Sequence, residues 1–105
     1  MPFTPGGKSG WIVADFETDV VPSPPVGVRR MSKNGYLSNR TGFVVECFLR
    51  YYRGAHYTET RFSLADGDDE PFGDITLEPG DRFAAIVTAD TASPLRFGVS
   101  WGDHS

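Results

Sequence analysis

The chain has one cysteine, Cys47, in 105 residues. A lone thiol excludes any internal disulfide, and with it the stapled scaffolds of small secreted proteins. Histidine is almost as scarce: His56 and His104 with Cys47 are too few soft ligands for a zinc or copper site. No apolar run approaches the roughly 18 residues of a membrane-crossing helix, and no basic-then-apolar leader opens the chain. These two absences, with the single cysteine, favour a soluble protein in a cytoplasmic setting. Also missing are helical apolar periodicity, internal repeats, and any Ser, Cys, His and carboxylate spacing that selects a nucleophilic site, so an enzyme is not expected. Gly7-Lys8-Ser9 ends like a P-loop, but Pro2 stands where that motif's first glycine belongs and no strand precedes it.

What the chain does have is β-prone residues punctuated by glycine and proline, 12 and 8 of them, which suits short strands joined by turns. Its length accommodates one domain. We expect a flexible arm at residues 1–10, a β-sandwich at 11–101 and a flexible tail at 102–105. The organising stretch is 42–64. Two β-prone runs flank Gly54-Ala55, a hairpin signal. Alternation sends Phe43, Val45, Cys47, Leu49 and Tyr51 to the core side, with Thr58, Thr60, Phe62 and Leu64 opposite them. Val44, Glu46, Phe48, Arg50 and Tyr52, with Tyr57, Glu59, Arg61 and Ser63, take the outer side.

Other strands are expected at 11–16, 26–32, 74–77, 82–89 and 95–101. Parity leaves open whether Ile12, Ala14 and Phe16 or Trp11 and Val13 face inward in the first. Residues 17–25, with Pro22-Ser23-Pro24-Pro25, read as a connection or a sheet edge. Lys33-Asn34-Gly35 reads as a tight hairpin turn, since Asn and Gly tolerate positive φ. Glu78-Pro79-Gly80-Asp81 fits a type II turn. The strand at 82–89 is apolar on both sides and so reads as central, and residues 90–94 read as a connection. Seven strands without helices give an antiparallel two-sheet β-sandwich, with an immunoglobulin-like or a jelly-roll connection.

Charge is unevenly spread around a net of −4. Residues 29–61 hold Arg29, Arg30, Lys33, Arg40, Arg50, Arg53 and Arg61 against Glu46 and Glu59, while 66–81 hold Asp66, Asp68, Asp69, Glu70, Asp74, Glu78 and Asp81 and no base. Such a split can steer a charged partner or let copies attract one another. Within the acidic run, Asp66, Asp68, Asp69, Glu70 and Asp74 are the candidate calcium ligands, although the EF-hand order is absent. Asn39-Arg40-Thr41 matches a glycosylation acceptor. Residues Asn39-Arg40-Thr41-Gly42-Phe43 are also similar to the Asn-Pro-Thr-Thr-Gly-Phe loop of chagasin-type cysteine-protease inhibitors, which are small β-sandwiches. That loop's proline and one threonine are missing here, as is any counterpart of the family's Arg-Pro-Trp loop, so no site residue is carried over.

The outer side of the hairpin is the most informative surface. Phe48, Arg50, Tyr52, Tyr57 and Arg61 interleave aromatic and guanidinium groups, the residue types enriched where proteins touch. The expected function is a non-enzymatic binding module making protein–protein contact or self-associating as a homo-oligomer through this face. The alternative is a lectin-like carbohydrate-binding domain that stacks sugar on Trp11, Trp101 or the tyrosines. Stacking rings with bases also fit single-stranded nucleic acid, which the acidic total disfavours.

Overall fold

The computed structural model describes residues 3–88 and 95–105. Among them are nine strands: β1 (Phe3–Ile12), β2 (Thr18–Val21), β3 (Arg29–Ser38), β4 (Val45–Arg53), β5 (His56–Leu64), β6 (Asp69–Phe72), β7 (Thr76–Leu77), β8 (Asp81–Thr88) and β9 (Leu95–His104). One sheet runs β1-β9-β3-β6, with β7 also pairing β3, and the other runs β2-β8-β4-β5. Every pairing is antiparallel. The chain is one long hairpin rolled up: β4 pairs β5, β3 pairs β6, β2 pairs β8 and β1 pairs β9. That nesting is the jelly-roll connection and not the immunoglobulin-like one.

The hairpin at the centre of the roll keeps an unbroken register from Val45↔Leu64 to Arg53↔His56. Gly54 opens its two-residue loop at φ 63, as a type II′ turn asks of its first central residue. Val45, Cys47 and Leu49 are buried as their parity demands, and they meet Phe83, Ala85 and Val87 of β8 and Leu37, Leu95, Phe97 and Val99 of the facing sheet in one core. The Pro79-Gly80 turn forms as read, with Gly80 at φ 93 and Asp81 N–H donating to the Glu78 carbonyl at 2.9 Å.

Several expectations are corrected. Residues 3–10, read as a flexible arm, form most of β1, paired in register with β9. β9 runs on to His104, through most of the segment read as a tail. The strand expected at 11–16 ends at Ile12, which is buried, while Val13 and Phe16 are exposed. The 17–25 stretch, read as a connection or a sheet edge, holds β2, an edge strand. Asn34-Gly35 is a bulge and not a hairpin turn: Asn34 takes φ 58, the β3–β9 register shifts between Lys33 and Tyr36, and the strand continues. Val26, placed in a strand, is 93% exposed and outside one. Residues 69–72 of the acidic run are strand β6. Phe43 precedes β4 and is exposed, and Thr58 and Thr60, on the core-facing side of β5, the edge strand of its sheet, are exposed too. Ala89 and the connection at 90–94 lie outside the described residues.

The glycines that suggested an arm and a turn have a packing role. An added Cβ on Gly6 would lie 2.3 Å from the Trp101 indole nitrogen, and one on Gly35 would lie 2.0 Å from the Phe72 ring. Each is the cross-strand partner of that aromatic, so the ring lies over bare backbone. Gly35→Ala should therefore destabilise the protein by about 1–3 kcal/mol through overpacking. A thermal melt should fall by several degrees, whereas Gly73→Ala, with open space around it, should melt close to the parent.

Candidate interaction face

Register and parity bring all five predicted residues onto the outer side of the β2-β8-β4-β5 sheet. Tyr52 lies opposite Tyr57, Arg50 opposite Glu59 and Phe48 opposite Arg61. The five divide into two groups. Arg61 is exposed and places its guanidinium 5.0 Å from the centre of the half-buried Phe48 ring. Tyr52 and Tyr57 contact at 5.0 Å between ring centres, and the Arg50 guanidinium stands 5.0 Å from the Tyr57 ring. Tyr57 remains 48% exposed, so one ring is offered to solvent with its neighbours already in place.

Sequence reasoning missed the other half of this surface. Glu17, from the link before β2, accepts from Arg50 Nη1 at 2.9 Å and from the Tyr52 hydroxyl at 2.7 Å on one carboxylate oxygen, and from Arg82 Nη1 at 2.9 Å on the other. Arg82, on β8, also pairs with Asp19 of β2 and lies 3.8 Å over the Tyr52 ring. Arg82 was legible from its outward parity. Nothing local to Glu17 marks it, because its link folds over the sheet by tertiary contacts such as Asp15 N–H to the Val87 carbonyl at 2.8 Å. Beneath this layer Ala84, opposite Asp19 and Arg50, is fully buried although it points away from the core.

Burial pushes the Glu17 carboxyl up, but hydrogen bonds from Tyr52, Arg82 and Arg50 outweigh that and hold it below the usual glutamate value of 4.5. A depressed carboxylate contributes stability that is present above its unfolded value and is lost as pH falls through its folded value. Glu17→Gln leaves two arginines facing each other across a neutral amide and should cost about 1–3 kcal/mol at neutral pH. The gap between variant and parent melting temperatures should close on titration below pH 4.5, the usual value for the carboxyl.

The two charge runs meet in two ion pairs. Arg29 pairs with Glu78 at 2.8 Å, and Arg40 with Asp69 at 3.3 Å. Arg30, nearly buried, makes a two-pronged bond to Asp103 at 2.8 and 3.0 Å and donates to the Pro22 carbonyl. The predicted calcium ligands are dispersed. Asp66 accepts from Gly42 N–H, Asp69 serves Arg40, and Asp69 and Glu70 are consecutive on β6 and so point to opposite faces. Among the described residues, no three His, Cys, Asp or Glu side chains come together as metal ligands would.

Asn39 is fully buried, donating to the Phe43 and Leu64 carbonyls at 2.7 and 2.8 Å and accepting from Thr41. Its amide ties the β3–β4 link to the end of β5 and is not offered to a sugar. Lys8 donates to the Asp19 carbonyl at 2.6 Å from within a strand, a setting foreign to a phosphate loop. Trp101 lies under Arg30 at 4.5 Å and against Gly6, while Trp11, 60% exposed, is on the other sheet from Tyr57. The expected sugar-stacking rings therefore do not share one platform.

Cys47 is fully buried, and burial pushes its thiol up to about 12, followed by the charges of Glu46 and Glu70. Alkylation of the native protein at pH 8 should be negligible, and labelling should follow the unfolding curve in denaturant. No protein-family model, curated protein or solved structure matches the chain.

Proposed function

We propose that the protein is a non-enzymatic interaction module that engages a protein partner through the outer face of the β4–β5 hairpin. The observation that carries this reading is the preassembled cluster of Tyr52, Tyr57 and Arg50 beside the Phe48–Arg61 pair, with Tyr57 and Arg61 open to solvent. Side chains already held by ring and guanidinium contacts lose less freedom when a partner docks, and aromatic and arginine anchors dominate interface energies. Glu17 braces the face, bonded to two arginines and a tyrosine.

Phe48→Ser with Tyr52→Ser alters the face while leaving the strand edge intact. Affinity capture with quantitative mass spectrometry should find a protein enriched by the parent and lost by this folded variant, and a purified copy of it should bind the parent at least about tenfold more tightly. If the variant retains everything that the parent retains, the reading is wrong. A glycan array run alongside identifies the carbohydrate alternative, which requires a saccharide held by the parent alone.

A further inference from the structure

We infer that β5 is a docking edge for a second copy of this chain, with the two β5 strands pairing antiparallel about a two-fold axis at Thr60. The inference rests on the reading of this hairpin as a contact surface and adds the occupant and its register.

The edges of the two sheets are treated very differently. β1 carries Pro5, Lys8 and three glycines. β2 has four residues, an irregular register after Asp19, and Pro22 directly behind it. β6 has four residues, of which two are acidic and one is Pro71. Short length, proline, inserted charge and bulges are the devices by which proteins keep sheet edges from pairing. β5 has neither the short length, the proline nor the bulge, and its two charges, Glu59 and Arg61, are of opposite sign. It runs nine residues without proline, glycine, lysine or register shift, it ends its sheet, and among the described residues it pairs with β4 alone.

Backbone direction fixes which registers are open to it. A two-residue loop is closed by a hydrogen-bonded pair, here Arg53 and His56, so the even-numbered residues of β5 aim their N–H and C=O groups at β4. Tyr57, Glu59, Arg61 and Ser63 aim theirs outward. A two-fold at Thr60 matches outward groups with outward groups and pairs the full strand, from His56 against Leu64 of the second copy to the reverse. It also sets Glu59 opposite Arg61 of the second copy, twice. Two-folds at Glu59 or at Arg61 would set glutamate against glutamate or arginine against arginine, so charge selects Thr60 among the neighbouring registers. Glu59 is available for this: it stands 3.7 Å from Arg50 Nε, a loose contact that leaves carboxylate lone pairs free for a second guanidinium.

Sedimentation velocity and cysteine cross-linking on the full chain test the inference. The parent should show a concentration-dependent dimer. Glu59→Arg sets like charges opposite each other and should raise the dimer dissociation constant at least about tenfold. Adding Arg61→Glu to that variant restores opposite charges and should restore the dimer, which separates a lost interface from a damaged fold. Opposed Thr60 residues form a non-hydrogen-bonded pair, whose Cα atoms lie about 4.5 Å apart, within disulfide range. Thr60→Cys should thus give a disulfide-linked dimer under mild oxidation, while Thr58→Cys, which would face Phe62 of the second copy, should not; buried Cys47 does not compete.

A monomer at all concentrations overturns the inference. So does a dimer that is insensitive to Glu59→Arg, or one that cross-links equally well through Thr58→Cys. Neither result touches capture of another protein by the Phe48 and Tyr52 face, and loss of that capture leaves the β5 dimer standing, so the two readings fail separately.

Discussion

The fold depends on antiparallel pairing nested around the two-residue loop at Gly54-Ala55. That loop sets the β4–β5 register, and the core locks it. A slip of one residue would exchange Val45, Cys47 and Leu49 with Glu46, Phe48 and Arg50, burying a carboxylate and a guanidinium. From this local seed the pairings widen through β3 with β6 and β2 with β8 to β1 with β9. The entropy of closing each larger loop grows only logarithmically, so the outer rungs cost little more than the inner ones once their neighbours are in place. Contacts so distant in sequence make such a topology slow to fold. The connection itself says nothing about function, which must be argued from particular surfaces.

The same nesting brings parts of the basic and acidic stretches side by side. β3 carries arginines and is folded beside β6 and β7, whose strands and flanks carry the acids, so Arg40 meets Asp69 and Arg29 meets Glu78. Arg30 is turned inward to Asp103 and Arg50 is held by Glu17. Fields from exposed charges fade over about 8 Å at physiological salt, so alternating ion pairs on this scale cancel within a few residues.

Much of this architecture was legible in the sequence. Alternation located β4, β5 and most of β8 and β9 and gave the inward side of β4, because period-two burial leaves a direct mark. The misread arm and turn share one physical source. Gly6, Gly35 and Asn34 look like chain breakers when read locally, yet the glycines lie where cross-strand aromatics need bare backbone and Asn34 supplies the positive φ of a bulge. Those requirements come from strands far away in sequence, and no window around the residue contains them. The candidate face divides in the same way. Its five hairpin residues follow from parity, whereas Glu17 and Asp19 reach it through a β1–β2 link whose path tertiary packing sets.

Face and edge of the hairpin are one surface, a consequence of backbone geometry. Side-chain direction and hydrogen-bond direction both alternate with a period of two along a strand. In β5 the two alternations coincide, so that Tyr57, Glu59 and Arg61 present their side chains to the outer face and their free backbone groups to the edge. Any strand added at that edge necessarily extends the aromatic and guanidinium layer, and its own outward side chains come to lie beside these three. Glu59 joins the two directions, because it is the link between the Arg50 network on the face and the backbone groups exposed at the edge. A long bare edge is ordinarily an aggregation hazard. Here the glutamate and arginine flanking Thr60 penalise the adjacent registers, so the charges that make the edge selective also limit indiscriminate pairing.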